Sequence, residues 1–137
     1  MFILDTNVIS AARRPERAPL VAAWLARQPE DRLFLSTITL GEIARGIHLQ
    51  EPRNPAFAQD LRIWLDRTVA LFSDRILPFG AEDARIWGQL SARIGHNGAD
   101  LMIAASALAY DATVVTGNTD DFAHTGCRLE NPFLPLA

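Results

Sequence analysis

Short apolar runs alternate with longer stretches of helical periodicity along the whole chain. Phe2-Ile3-Leu4 is a continuous apolar triplet cut off by Asp5-Thr6-Asn7, which reads as a buried strand running into a helix start. A helix through Val8–Ala12 follows, and Arg13–Arg17 is a polar, proline-broken loop. Pro19 opens a helix with Leu20, Val21, Trp24 and Leu25 on one face. Leu33-Phe34-Leu35 predicts a second strand, and Ser36, Thr37 and Thr39 offer caps for a helix through Gly41–Ile47. Beyond Pro52 and Pro55, a longer helix carries Leu61, Trp64, Leu65, Thr68 and Phe72 at helical spacing. Ile76–Phe79 reads as an edge strand because of Pro78. Ala81–Ile94 is helical, Gly95–Gly98 breaks it, and Asp100–Tyr110 is apolar on nearly every side, so that helix is expected at the centre. Ala112–Thr116 predicts a last strand and Gly117–Asp121 a turn. Strands alternating with helices predict an α/β sandwich around a mainly parallel sheet.

The 137 residues suit one domain. A single cysteine, Cys127, excludes an intrachain disulfide and points to a reducing cytoplasm. Asp5 interrupts the first apolar run, which argues against a signal peptide, and no apolar run is long enough to span a membrane. All 13 basic residues apart from histidine are arginines. The absence of lysine excludes Schiff-base chemistry, P-loop nucleotide hydrolysis and kinase-type phosphoryl transfer. A net charge of -3 disfavours nucleic-acid binding through bulk charge alone, but leaves metal-assisted chemistry on a phosphate open.

Acidic residues change the picture most. Asp5 follows the first strand. Glu42 and Asp100 sit in the first turns of two predicted helices, and Asp120 and Asp121 follow the last predicted strand. In a parallel α/β fold, strand C-termini and the following helix N-termini gather along one edge, so these acids can share a cleft. Each has a plain alternative. Asp5 caps a helix, Glu42 forms a capping box with Thr39, Asp100 complements a helix dipole, and Asp120 and Asp121 are turn residues. Together they exceed what capping requires. Clustered carboxylates repel one another, and a hard cation such as Mg²⁺ or Mn²⁺ relieves that repulsion. Thr6, Asn7, Thr116 and Asn118 would then supply neutral oxygens and donors around it.

Four segments in this order carry a resemblance to a known family: Phe2-Ile3-Leu4-Asp5-Thr6-Asn7-Val8-Ile9-Ser10, Leu35-Ser36-Thr37-Ile38-Thr39-Leu40-Gly41-Glu42-Ile43, Gly98-Ala99-Asp100-Leu101-Met102-Ile103-Ala104-Ala105 and Val115-Thr116-Gly117-Asn118-Thr119-Asp120-Asp121-Phe122. Asn131-Pro132-Phe133 is similar to the family's C-terminal end. The chain resembles PIN-domain ribonucleases, specifically the VapC-type toxins of toxin–antitoxin pairs, over residues 1–137 as a single domain. The resemblance implies a three-layer α/β sandwich and a metal-dependent endoribonuclease acting on single-stranded or looped RNA. It implies Asp5, Glu42 and Asp100 as the principal ligands for Mg²⁺ or Mn²⁺, and Thr116 as the family's loop threonine. Asn118 stands where some members carry aspartate, so either Asn118 or Asp121 (less readily Asp120) completes the set. A homodimer and a small antitoxin partner covering the cleft are also implied.

Among basic residues, Arg13, Arg14 and Arg17 form the cluster best placed to hold RNA phosphates, beside Thr6 and Asn7; the plain alternative is an ordinary solvated surface. Arg45, His48, Arg93 and His96 are weaker candidates, and no histidine is assigned as a general base. The three tryptophans are expected in the core, with a partner groove as the alternative for one of them. Two further functions compete: a non-catalytic RNA- or protein-binding module, and a phosphatase with Asp5 as covalent nucleophile. The familiar phosphatase pattern needs a second aspartate two residues on and a later lysine, where this chain has Asn7 and no lysine.

Overall fold

The computed structural model describes residues 1–135. Five parallel strands form one sheet in the order β3-β2-β1-β4-β5. They are β1 (Phe2–Leu4), β2 (Leu33–Ser36), β3 (Ile76–Leu77), β4 (Thr113–Val115) and β5 (Arg128–Glu130). Six α-helices connect them: α1 (Thr6–Ala12), α2 (Pro19–Arg27), α3 (Thr37–Gln50), α4 (Pro55–Leu71), α5 (Ala81–Ile94) and α6 (Ala99–Ala109).

Side-chain alternation along the strands builds the three layers. Leu4, Leu33, Leu35 and Val115 face a core completed by Val8 and Ile9 of α1, Trp24 of α2 and Ile43 and Ile47 of α3. Their neighbours Ile3, Leu77 and Val114 face a second core formed by Leu90 of α5 and Ile103, Ala104, Ala105 and Ala107 of α6. Strands buried on both faces explain the continuous apolar triplets. The expected α/β class and mainly parallel sheet are therefore found, and every pairing is parallel.

The differences from the sequence reading have local causes. Strand β3 stops at Leu77, because Pro78 has no N–H for the ladder; it is the expected edge strand. Strand β5 has no counterpart in the sequence pattern. Its single apolar residue, Leu129, lies between charged Arg128 and Glu130 and gives no readable alternation. Helix α3 begins at Thr37, capped by the Ser36 hydroxyl, which accepts from the Ile38 N–H at 3.1 Å. Glu42 is consequently in the second turn, not the first. The capping box with Thr39 does not form; Thr39 is fully buried, its hydroxyl lacking a hydrogen-bond partner. Gly95, at φ 98°, ends α5 in the left-handed conformation that glycine adopts without penalty.

The two helices beneath the sheet are joined by a buried polar contact. The Ser106 hydroxyl on α6 donates to Asp83 Oδ2 on α5 at 2.5 Å, with both residues buried. Ser106→Ala leaves a buried carboxylate without its donor and should cost about 1–3 kcal/mol of stability by denaturant unfolding. Asp83→Ala in that background should recover part of the loss; no recovery would show that the carboxylate has other support.

Candidate active site

In an open parallel sheet, the crevice forms at the C-terminal edge where the strand order reverses. Here that point lies between β1 and β4, which pair in register as Leu4 with Val115. Asp5 leaves β1 and Thr116 leaves β4 side by side. The Asp5 N–H donates to the Val115 carbonyl at 2.9 Å, and the Thr116 N–H to the Glu130 carbonyl at 2.9 Å, so β5 anchors this loop from its other side.

Asp5 is 7% exposed and both its oxygens are engaged. Oδ1 accepts from the Thr6 N–H at 2.8 Å as the cap of α1. Oδ2 accepts from the Thr116 hydroxyl at 2.7 Å. That hydroxyl in turn accepts from the Asn118 N–H at 3.0 Å and from Asn7 Nδ2 at 3.2 Å. Asn7 Oδ1 accepts from the Gly117 N–H at 3.1 Å. From the other side, the Thr6 hydroxyl donates to Glu42 Oε1 at 2.8 Å, tying α1 to α3.

These residues border a cleft of about 460 Å³ lined by Asp5, Thr6, Asn7, Glu42, Ala99, Asp100, Asn118, Asp121 and Phe122. Asp5, Glu42 and Asp100 are thus brought to one opening, with Asn118 and Asp121 on its wall. Asp120 is absent from that lining. Thr116 is fully buried and acts from behind Asp5. Arg13 lies next door, in a groove it shares with Thr6 and Glu42, and also borders a second cavity with Arg14 and Arg17. Arg45 and His48 are exposed on α3, and Arg93 donates to the His124 carbonyl at 3.0 Å.

Burial pushes the Asp5 carboxyl above its ordinary value, and repulsion from Asp100 and Asp121 adds to it. The bonds from Thr116 and Thr6 oppose this without cancelling it. Glu42 is exposed as a residue, but its carboxyl end lies in the cleft wall. It too is pushed up, first by burial and then by Asp5 and Asp100, against the bond from Thr6. Among the described residues, no three carboxyl groups are gathered tightly enough to form a ready-made metal cage.

Two residues that sequence reasoning left without a role shape the cleft. A Cβ on Gly98 would lie 2.6 Å from Asp100 Oδ1 and 3.2 Å from His96 Nδ1, so glycine leaves the carboxylate its place. A Cβ on Gly117 would meet the Phe133 ring at 2.7 Å. Both glycines lie inside the four motifs, but only the close approach shows why a side chain is excluded.

The PIN domain family model matches residues 2–126. The chain belongs to the PIN-domain family. It is similar to VapC ribonuclease Y4jK of Sinorhizobium fredii, 32% identical over 98% of this chain and 99% of that protein. It is also similar to toxin FitB of Neisseria gonorrhoeae, 34% identical over 97% of this chain and 99% of that protein. Among solved structures, FitAcB from Neisseria gonorrhoeae superposes with a TM-score of 0.85 at 34% identity, covering 98% of this chain and all of that one. The PIN fold expected from the four motifs is therefore present.

Because folding raises the Asp5 and Glu42 values, their favourable share of stability is full below their unfolded values and is lost as pH rises through the folded ones. Asp121 adds to that repulsion. In chelator at pH 7, Asp121→Asn should melt about 1–4 °C higher than the parent, and the gap should close towards pH 4. A parent melting as high as the variant at pH 7 would mean the cleft stores no repulsion.

Proposed function

We propose that this PIN domain is a metal-dependent endoribonuclease and the toxin of a toxin–antitoxin pair. The observation that carries the reading is the convergence of Asp5, Glu42, Asp100 and Asp121 on one cleft, with burial and mutual repulsion disfavouring the charge on Asp5 and Glu42. An all-oxygen, acid-rich donor set fits a hard divalent cation. The loose spacing suits Mg²⁺, which keeps several waters and takes only one or two carboxylates directly. Asp5, Glu42 and Asp100 would hold Mg²⁺ or Mn²⁺, with Asn118 or Asp121 completing the set. When bound, the ion supplies Lewis acidity to the phosphodiester and the acidity a water needs to attack phosphorus at neutral pH.

The chain's own residues do the positioning. Thr6 N–H and the Thr116 hydroxyl hold the two Asp5 oxygens in one orientation. The Thr6 hydroxyl turns Glu42 towards the same opening. Asn7 locks the Thr116–Asn118 loop through Gly117 and Thr116, leaving the Asn118 side chain at the cleft wall to contact substrate or a ligand water. Asp5 has both oxygens occupied and no lysine nearby, an arrangement that suits a fixed ligand better than a covalent nucleophile.

RNA, single-stranded or looped, is the substrate that the family likeness supports; the name of Y4jK, a ribonuclease, agrees with RNA as the class. A toxin acting on cytoplasmic RNA needs a neutralising partner. The groove beside the cleft, walled by Ile43, Ile47, Leu61 and Trp64, offers an antitoxin segment an apolar seat. Exposed Leu20, Leu49, Ile63 and Leu71 provide apolar surface for a homodimer or for that partner. No helix among the described residues is long and apolar enough to cross a membrane. Asn118, in place of an acid, favours a non-catalytic module as the second reading; saturable Mn²⁺ binding by calorimetry would speak against it.

RNA cleavage should vanish in chelator and return with Mg²⁺ or Mn²⁺; undiminished cleavage without divalent ions contradicts the reading. Asp100→Asn should lower the rate on the order of 10²-fold or more. Thr116→Val, which removes the hydroxyl that orients Asp5 and gathers Asn7 and the Asn118 N–H, should cost about 10–100-fold while the protein stays folded by circular dichroism. Gly98→Ala should lower the rate through displacement of Asp100 with little change in melting temperature. A fully active Gly98→Ala would mean that the close approach does not matter.

A further inference from the structure

A second cavity, about 300 Å³, lies at the far end of α1, walled by Arg13, Arg14, Arg17, Ser10 and Phe133 among others, with no carboxylate in its lining. In a chain of net charge -3, three guanidinium groups on one small cavity run against the overall balance. Among the described residues, none of the three forms an ion pair or a side-chain hydrogen bond, and Arg14 Nε is buried without a partner. Two arginines elsewhere show the contrast. Arg75 donates to the Leu33 carbonyl and Arg128 pairs with Asp111. The guanidinium of Arg13 stands 5.4 Å from the centre of the Phe57 ring, a stacking contact that fixes its position without using its N–H groups.

The cavity is connected to the active-site cleft in two ways. Along α1, Thr6 borders the cleft, while Ser10 and Arg13 border both the intervening groove and this cavity. The seven steps from Thr6 to its C-cap Arg13 span about 10 Å along α1, a length that a dinucleotide covers. Along the C-terminal segment, the Phe133 ring lies against Gly117 in the loop that carries Thr116 and Asn118. Planar guanidinium forks match phosphate oxygens in pairs, and an aromatic ring offers a stacking surface to any base.

We propose that this cavity is a binding subsite for a nucleotide flanking the cleaved bond, with Arg14 and Arg17 on its phosphate and Phe133 against its base. The inference rests on the ribonuclease reading, but binding and cleavage separate the two. In a divalent-free buffer, a fluorescein-labelled single-stranded RNA is titrated with the parent, Arg14→Gln/Arg17→Gln and Phe133→Leu, each checked for an unchanged melting temperature. The arginine double variant, which alters surface charge rather than core packing, keeps the test decisive if Phe133→Leu fails to fold. Binding should weaken about tenfold or more in the double variant, and the slope of log affinity against log salt should fall by about one for each phosphate that is no longer neutralised. In cleavage assays KM should rise, and the loss should shrink as the oligonucleotide is shortened from one end. Unchanged RNA affinity and salt slope overturn the subsite. Unchanged RNA affinity with weakened binding of an oligoglutamate peptide overturns it in favour of a protein carboxylate. Weakened RNA binding in a protein that never cleaves RNA supports the subsite and refutes the ribonuclease reading.

Discussion

The hydrogen bond from Thr116 to Asp5 is the constraint on which the rest of the site depends. It joins the C-terminal ends of β1 and β4, where the strand order reverses, and it does so through a carboxylate that is otherwise costly to bury. The same carboxylate caps α1, which sets the direction of Thr6 and so the position of Glu42. On the other side, the Thr116 hydroxyl gathers the Asn118 N–H and the Asn7 amide. One buried acid therefore ends a strand, starts a helix and orients two cleft walls. Structural capping and proposed catalysis coincide in this residue, and neither role excludes the other.

Around the cleft, opposite charges are kept apart. Carboxylates collect at the sheet edge, where burial and repulsion disfavour the charge on Asp5 and Glu42. Arginines collect at the end of α1, without carboxylate partners. A polyanion could not lie in the acidic cleft unaided. On the proposed reading, a cation there, with guanidinium groups some distance along α1, would give an RNA backbone a favourable path. The lack of lysine fits this division, since planar guanidinium suits paired contacts to phosphate better than a flexible ammonium. Every fixed positive side chain available to RNA is then an arginine.

The fold was legible wherever burial imposes a pattern. Two-sided burial wrote Phe2-Ile3-Leu4 as a plain apolar run, and the central α6 was visible because five of its positions are apolar and buried. Pro78 marked an edge strand but shortened it further than expected. Strand β5 carried no pattern, because a three-residue edge strand with one apolar position has none to show. In the site, Asp5 and Asp100 stand where the strand and helix ends put them, whereas Glu42 lies a turn deeper in its helix and Asp120 does not line the cleft. The donor to Glu42 was not readable: Thr6, rather than Thr39, holds it, and that depends on how α1 and α3 pack. The contacts of Gly98 with Asp100 and of Gly117 with Phe133 depend on ångström-scale approach, which residue types alone do not record.

The central claim is that Asp5 is a buried carboxylate, its charge disfavoured by burial and repulsion, held ready for a cation. A carbon-13 nuclear magnetic resonance titration of the Asp5 carboxyl, with and without Mg²⁺, addresses it directly. The account predicts a midpoint above the ordinary aspartate value of 3.8 in the metal-free protein, moving down as Mg²⁺ is added. An ordinary midpoint that Mg²⁺ leaves unmoved would contradict it.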